Sequence, residues 1–135
     1  MSLTHVNSEK LVKPFGYSHA VVADPGQLVF IAGQVASDIS GRVDAEMGYA
    51  EQAATALQNF IHALEATGAA LEDLAQMTIY VVGLNAETGD EMFKGIAATS
   101  KAAGMKPSAS VITGVSSLMD PAALIEISGI AVTSS

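Results

Sequence analysis

The chain has 135 residues and a formal net charge of −8 at pH 7, with 50% of its residues hydrophobic and 15% charged. This length fits a single domain over residues 1–135. An acidic chain whose six lysines and arginines are scattered repels phosphate backbones, so we expect no nucleic-acid partner. The sequence has no cysteine, which excludes disulfides and thiolate chemistry.

Hydropathy predicts a soluble protein. No stretch approaches 18 consecutive apolar residues, and the first residues lack the apolar region of a signal peptide. We therefore expect a cytoplasmic protein without a membrane partner. A composition this apolar, with few charged residues, is unusual for a soluble monomer. It therefore indicates that part of the surface is buried in contacts between subunits.

The first third of the chain predicts two strands joined by a tight turn. Residues 1–13 are polar and mixed, and we expect them to lie loosely on the surface. Strands are predicted over residues 15–23 and 28–35, and the Pro-Gly pair at 25–26 suits a type II turn between them, so the two should form a hairpin. Gly33 interrupts the second strand, where glycine typically marks a bulge or a close approach of backbone or ligand.

Apolar spacing predicts a first helix. Asp44 has the chemistry of an N-cap, and Gly68 is a natural helix end. Between them apolar residues recur at intervals of three and four, which is one stripe of an amphipathic helix: Met47, Ala50, Ala54, Leu57, Ile61 and Leu64.

A strand and a second helix are predicted next. Residues 76–84 are β-branched and apolar on both faces of a strand. Thr88 and Glu91 have the spacing of a capping box, which predicts a helix that ends at Gly104. Its predicted inner face consists of Phe93, Ile96, Ala97 and Ser100.

Two strands are predicted at the C-terminal end, over Ala109–Val115 and residues 124–132, around a turn at 118–121. The order is then β-β-α-β-α-β-β, and the strands before and after the first helix should be parallel with a right-handed crossover. Two helices cover one face of such a sheet. Because the strands are apolar on both faces, another subunit is expected to cover the second face.

Glu126 stands inside an otherwise apolar or small strand. A carboxylate there either faces water at a sheet edge or is paired or used. Nucleotide-binding, hydrolase and zinc-protease motifs are absent from the sequence, and the three histidines lack ligand spacing, so we expect no metal and no cofactor. Tyr17 and Gly33, which are also unusual residues at their predicted strand positions, are the other two candidate site residues.

Several segments together resemble the RidA/YjgF family, which also carries the names endoribonuclease L-PSP and translation-inhibitor-like. The resemblance runs from residue 15 to residue 132 and rests on GYSHAV at 16–21, LVFIAGQV at 28–35, TIYV at 78–81, IEI at 125–127 and IAV at 130–132. It implies a chorismate-mutase-like α+β subunit and a homotrimer. In that trimer three sheets form a central barrel with the helices outside, and three clefts lie between subunits.

The resemblance also implies site residues. In members that hydrolyse enamines and imines from amino-acid dehydration, an arginine clamps the substrate carboxylate, a glutamate positions water and a tyrosine closes the cleft. Carried over by motif, the catalytic glutamate is Glu126 and the tyrosine is Tyr17. Gly33 and Gln34 form the ligand-binding Gly-Gln turn.

The sequence departs from the family pattern at the arginine. The family segment Pro-Ala-Arg-Ser reads Pro107-Ser108-Ala109-Ser110 here, so Ala109 occupies the position of the clamp. Arg42 is the only arginine of the chain, and Lys106 lies before the proline. Alanine offers nothing in place of a bidentate guanidinium. We expect Ser108, Ala109 and Ser110 to line the ligand site.

Three functions are compatible with this pattern. The first is a trimeric protein that binds or converts a small metabolite without the arginine. The second is an enamine/imine deaminase with altered contacts. The third, a ribonuclease or translation inhibitor, fits an acidic chain worst. Without a guanidinium, either Glu126 is protonated and donates a hydrogen bond, or the ligand is neutral or cationic; we favour the latter.

Overall fold

A computed structural model describes residues 3–24 and 26–133. The fold is mixed α+β, as predicted, and a short 3-10 helix, Leu71–Asp73, precedes the longest strand. Neither described helix combines the length and apolarity that a bilayer crossing requires. The strands are β1 (Leu3–Val6), β2 (Ala20–Ala23), β3 (Leu28–Gln34), β4 (Leu74–Val82), β5 (Ala109–Val115) and β6 (Ile125–Val132); the helices are α1 (Tyr49–Ala66) and α2 (Ala86–Ala103).

The main sheet has four strands in the order β3-β6-β4-β5. β6 runs antiparallel to both neighbours, and β4 and β5 are parallel. β3 and β4 therefore point the same way, as predicted, but they are not neighbours because the last strand lies between them. β5 and β6 are likewise consecutive in the chain without pairing to each other.

The N-terminal region differs from the prediction. Leu3–Val6 is not loose but pairs with β2 as an antiparallel ribbon, and β2 does not form a hairpin with β3. Ser18 explains the difference: its backbone N–H donates to the Ser108 carbonyl (3.0 Å) and its hydroxyl to the Pro107 carbonyl (3.1 Å). These bonds fasten the segment beside the start of β5. The predicted turn includes Pro25, which lies outside the described residues.

Helix α1 begins later than predicted. Its N-cap is Gly48, and Asp44 instead closes a preceding turn in which its carboxylate accepts from the Glu46 N–H (2.9 Å). Gly68 follows the last turn with φ +86°, a conformation that glycine adopts at no steric cost, so the predicted end is confirmed. The buried face contains the predicted Leu57, Ile61 and Leu64 and also Gln52, Ala53, Ala56 and Phe60. Of the other predicted stripe residues, Ala50 and Ala54 are only half-buried, and Met47 precedes the helix.

Helix α2 is capped by Asn85, whose side chain accepts from the Thr88 N–H (2.9 Å) while its own N–H donates to the Thr88 hydroxyl (2.9 Å). Thr88 is thus the third helical residue of the capping box and not its first. Glu91 instead pairs with Lys94 on the surface. The helix ends at Gly104, as predicted.

The fully buried residues of α2 are Met92 and Gly95. The predicted Ile96 packs against the core, whereas the predicted Phe93 is 50% exposed and Ala97 is exposed too. A Cβ at position 95 would overlap the Ala50 carbonyl of α1. Two helices can approach this closely only where one of them carries glycine. As a result α2 packs mainly on α1, while α1 packs on β3 and β6.

The core lies between the helices and one face of the sheet. Side chains of that face are buried, among them Ile31, Ile79, Val81, Ile125 and Ile127. The opposite face, called the open face here, has no helix over it among the described residues. Phe30 is 71% exposed there, Leu28 62% and Val111 53%. Strand alternation therefore leaves large apolar side chains uncovered on the open face.

Candidate functional site

Glu126 lies on the open face in the middle of the sheet. Its neighbours in β6, Ile125 and Ile127, are buried beneath the helices, so the Glu126 side chain points the other way. β6 is flanked by β3 and β4, and Glu126 is opposite Tyr80 of β4. Glu126 is half-buried and does not belong to an edge strand.

Gly33 makes room for the Glu126 carboxylate. The register between β3 and β6 shifts between Ile31 and Gln34, which is the predicted bulge. A Cβ at position 33 would overlap the Glu126 carboxylate and would lie 2.7 Å from its Cδ. The predicted bulge is therefore confirmed, and the group that lies close to Gly33 is a side chain, not the backbone or ligand that was expected.

Gln34 does not join this pair. After the bulge its side chain lies on the α1 side, where it lines a groove with Asn59 and His62. Its amide donates to the Ala32 carbonyl at 3.2 Å. Gly33 and Gln34, expected to act together, therefore lie at different surfaces of the subunit.

The segment around Ala109 is also divided between two faces. Ala109 is opposite Gln76 and lies on the open face, whereas Ser110 is opposite the buried Met77 and lies on the helix side. Ser108 is buried on the helix side too, with its hydroxyl oxygen 3.1 Å from that of Ser110.

Ala109 and Glu126 share the open face but are far apart within one subunit. Ala109 pairs with Gln76, and Glu126 pairs with Tyr80, four residues further along β4. That offset amounts to about 13 Å along the strand, and two strand spacings add about 10 Å across the sheet. A small molecule cannot contact both positions in the same chain.

Tyr17 lies near Ser110 and not near Glu126. It precedes β2 and, with Ser110, Met77 and Phe93, lines a cavity on the helix side. Its ring packs edge-on against His19, with 6.0 Å between ring centroids. The predicted site residues thus fall into two groups: Gly33, Glu126 and Ala109 on the open face, and Tyr17, Gln34, Ser108 and Ser110 on the helix side.

Further polar residues of the open face were missed by the sequence prediction. Strand β4 was predicted to be apolar on both faces, but Gln76, Thr78 and Tyr80 alternate along it and share the open face with Glu126. The Gln76 amide donates to the Thr78 hydroxyl at 2.9 Å. The period-two alternation of polar residues in QMTIYVV was the signal for this stripe.

The charges near the site are sparse. Within residues 3–24 and 26–133, the Glu126 carboxylate has no hydrogen-bond or ion-pair partner, and no group of three His, Asp or Glu side chains could hold a metal. Two exposed groups elsewhere are perturbed. The Ser40 hydroxyl lowers the pKa of Asp38, and the hydrogen bond to Glu91 raises the pKa of Lys94.

Comparisons with known proteins agree with this fold. The family model described as Endoribonuclease L-PSP matches residues 9–133. A RutC family protein from Pyrococcus abyssi is 34% identical over 79 residues, a match that spans 58% of this chain and 61% of that relative.

Two solved structures cover nearly the whole chain. The Rid-family protein YyfB from Yersinia pestis is 30% identical with a TM-score of 0.86, covering 98% of this chain and 100% of that one. Rv2704 from Mycobacterium tuberculosis, a member of the YjgF/YER057c/UK114 family, is 29% identical with a TM-score of 0.62, again covering 98% and 100%. The chain therefore belongs to the endoribonuclease L-PSP family, the family of the RidA/YjgF proteins.

Proposed function

We propose that this protein is a homotrimer that binds a small neutral or cationic metabolite in clefts between its subunits, with Glu126 accepting a hydrogen bond from the ligand. The observation that carries the proposal is the half-buried Glu126 carboxylate, which lies against Gly33 on the open face and is unpaired within residues 3–24 and 26–133. A carboxylate held at a glycine on an uncovered sheet face is placed to meet a ligand or a second chain.

The open face supports the oligomeric part of the proposal. Phe30, Leu28 and Val111 expose most of their apolar surface to water, and both helices of the described chain lie on the other side. Association that buries these side chains gains about 25 cal/mol per Å² of apolar surface. The trimeric geometry itself comes from the resemblance to the family.

The distance between Ala109 and Glu126 supports clefts formed by two subunits. In family members the arginine and the glutamate act on one substrate, yet in this chain the two positions are about 13 Å apart along the strand alone. A ligand that contacts both positions therefore takes Ala109 from one subunit and Glu126 from its neighbour.

The charge of the ligand follows from what surrounds Glu126. Arg42 is the only arginine of the sequence and lies in the loop after β3, where its backbone N–H donates to Asp38. A bound carboxylate 4 Å from Glu126 would be repelled by about 4 kcal/mol at an effective dielectric near 20. An amine or hydroxyl would instead donate a hydrogen bond to Glu126.

Enamine or imine deamination is the second candidate, because Glu126 corresponds to the glutamate that positions a water molecule in family members. Ala109 disfavours it, since the substrates of that reaction carry a carboxylate. Endoribonuclease activity, which the family name indicates, fits less well because a chain of net charge −8 lacks the basic stripe that RNA binding requires.

Calorimetry with a matched ligand series tests the proposal. We expect butylamine and butyramide to bind the native protein more tightly than butyrate. Loss of a hydrogen bond to a charged group costs about 1.5–3 kcal/mol, so Glu126→Gln should weaken amine binding about ten- to hundredfold. Gly33→Ala should have a similar effect, since the added Cβ displaces the carboxylate at little cost in stability.

The matched control is Gln34→Ala, whose side chain lies on the α1 side and not beside Glu126. It should leave the amine affinity within about twofold. A clear preference for simple α-keto acids that survives Glu126→Gln would contradict the proposed role of Glu126.

A further inference from the structure

A cavity lies on the helix side of the sheet, between β4, β5, α2 and the segment that carries Tyr17. It has two adjoining lobes of about 220 Å³ and about 150 Å³, and Gly16, Met77, Ile96 and Ser110 line both. Gly95 lets α2 lie close against α1, and the cavity lies between α2 and the outer strands.

The larger lobe has an apolar wall. Ile79 and Ile112 supply its floor from the sheet, and Phe93 and Ile96 supply its roof from α2. No carboxylate lines either lobe within the described chain, and Lys106, the one charged residue of the lining, is exposed at the smaller lobe. Such a lining suits an uncharged, compact hydrocarbon body.

The boundary between the lobes is polar. The Ser108 and Ser110 hydroxyl oxygens lie 3.1 Å apart, and the Ser110 hydroxyl also reaches the Ser108 carbonyl at 3.3 Å. Because the Ser110 hydroxyl donates to the Ser108 carbonyl, its oxygen accepts from the Ser108 hydroxyl and keeps one lone pair that can accept from a ligand. The pair therefore offers a neutral hydrogen-bonding point at the inner end of an apolar pocket.

Tyr17 is held in a defined position at the cavity. Its ring packs against His19, whose Nδ1 accepts from the Ser8 N–H (3.0 Å) and whose Nε2 contacts the Val12 carbonyl at 2.7 Å. Because Nδ1 accepts, the proton belongs on Nε2, which donates to Val12. Both edges of the imidazole are therefore engaged, and Tyr17 rests on a fixed neighbour.

We propose that this cavity is a second binding site, separate from the Glu126 face, for a neutral molecule with a ring-sized apolar body and one hydroxyl group. An apolar cavity of about 150 Å³ holds benzene, so the larger lobe has room for a ring and a short arm that reaches the Ser108–Ser110 pair. Its lining includes neither Gly33 nor Glu126, so the site shares no residue with the proposed ligand position at Glu126.

Titration of the native protein with benzyl alcohol, toluene and benzoate, followed by calorimetry and by NMR shifts, tests this site. We expect benzyl alcohol to bind about two- to tenfold more tightly than toluene, because the hydroxyl adds one neutral hydrogen bond. Benzoate should bind at least tenfold more weakly than benzyl alcohol, since the site has no buried cation to receive it.

Three variants locate the binding. Ser110→Ala should remove the advantage of benzyl alcohol over toluene, and Ser110→Leu should abolish binding of both by filling the junction of the lobes. Thr113→Val, on the open face of the same strand, should change neither affinity. Circular dichroism of Ser110→Leu verifies that the variant is folded.

The proposal is overturned if benzyl alcohol fails to bind at millimolar concentration, if benzoate binds as well as the alcohol, or if Ser110→Leu binds it unchanged. Glu126→Gln should leave benzyl alcohol binding within twofold. If Glu126→Gln weakens amine binding but benzyl alcohol does not bind, only the cavity proposal is refuted. If benzyl alcohol binds but Glu126→Gln leaves amine binding unchanged, only the function proposed for Glu126 is refuted.

Discussion

Imines derived from dehydrated amino acids are expected to be hydrolysed about thirty- to several-thousand-fold more slowly by this protein than by relatives that carry the clamping arginine. Removing one partner of a buried, charge-assisted pair costs about 2–5 kcal/mol, which corresponds to that range of rates. By the resemblance to the family, Ala109 corresponds to the arginine position, and Glu126 has no cation beside it in the described chain. Initial rates at subsaturating substrate measure the difference.

A matched pair of variants tests whether the missing bidentate arginine contact causes the slow hydrolysis. Ala109 is half-buried at the start of the edge strand β5 and faces the open side, where a longer side chain can extend. Ala109→Arg should raise the hydrolysis rate at least tenfold. Ala109→Lys adds the same charge without bidentate geometry and should raise it less. Native rates equal to those of arginine-containing relatives would show that the clamp is dispensable.

Phe30→Asp should convert the proposed trimer to monomers at micromolar concentration. Phe30 is 71% exposed in the single chain and lies in one row of the open face with Ile130, Gln76 and Ala109. If this face is buried between subunits, the aspartate is desolvated at several kcal/mol per subunit without a partner, and each 1.4 kcal/mol weakens association about tenfold. Sedimentation velocity measures the mass.

Met119→Asp is the control for this change. Met119 is 97% exposed in the turn between β5 and β6 and does not belong to the open face. The variant adds the same charge to the chain and should keep the native mass. Equal masses for native protein and Phe30→Asp, with both folded, would exclude the open face from the subunit interface.

The elements that the sequence predicted well are those with a long periodic pattern. The stripe ending at Leu64 identified α1, and β-branched runs identified β3, β4, β5 and β6. The strand predicted over residues 15–23 contains β2 but is too long, since β2 begins at residue 20. The strand β1 and its pairing with β2 were missed, because four residues are too few to show an alternation and the pairing spans most of the first 23 residues.

Helix starts were ambiguous because several polar residues had the right spacing. The spacing of a capping box is present both in Asn85–Thr88 and in Thr88–Glu91. The hydrogen bonds in the structure show that the box is formed by Asn85 and Thr88. Gly48 caps α1 without any side-chain bond, so nothing in the sequence distinguished it from Asp44.

The site was predictable residue by residue but not as an arrangement. A glycine and a glutamate inside apolar strands identify Gly33 and Glu126 individually, yet their contact depends on the register between β3 and β6, which a bulge shifts. Alternation along β5 could have separated Ser108 and Ser110 from Ala109, because a strand sends neighbouring side chains to opposite faces.

The mass of the native protein in solution tests the central claim most directly. Size exclusion coupled to light scattering at micromolar concentration should give three times the 13.8 kDa chain mass, because the open face exposes apolar side chains that association would cover and the resemblance to the family implies three subunits. A stable species of 13.8 kDa under the same conditions would contradict the trimer and, with it, ligand clefts formed between subunits.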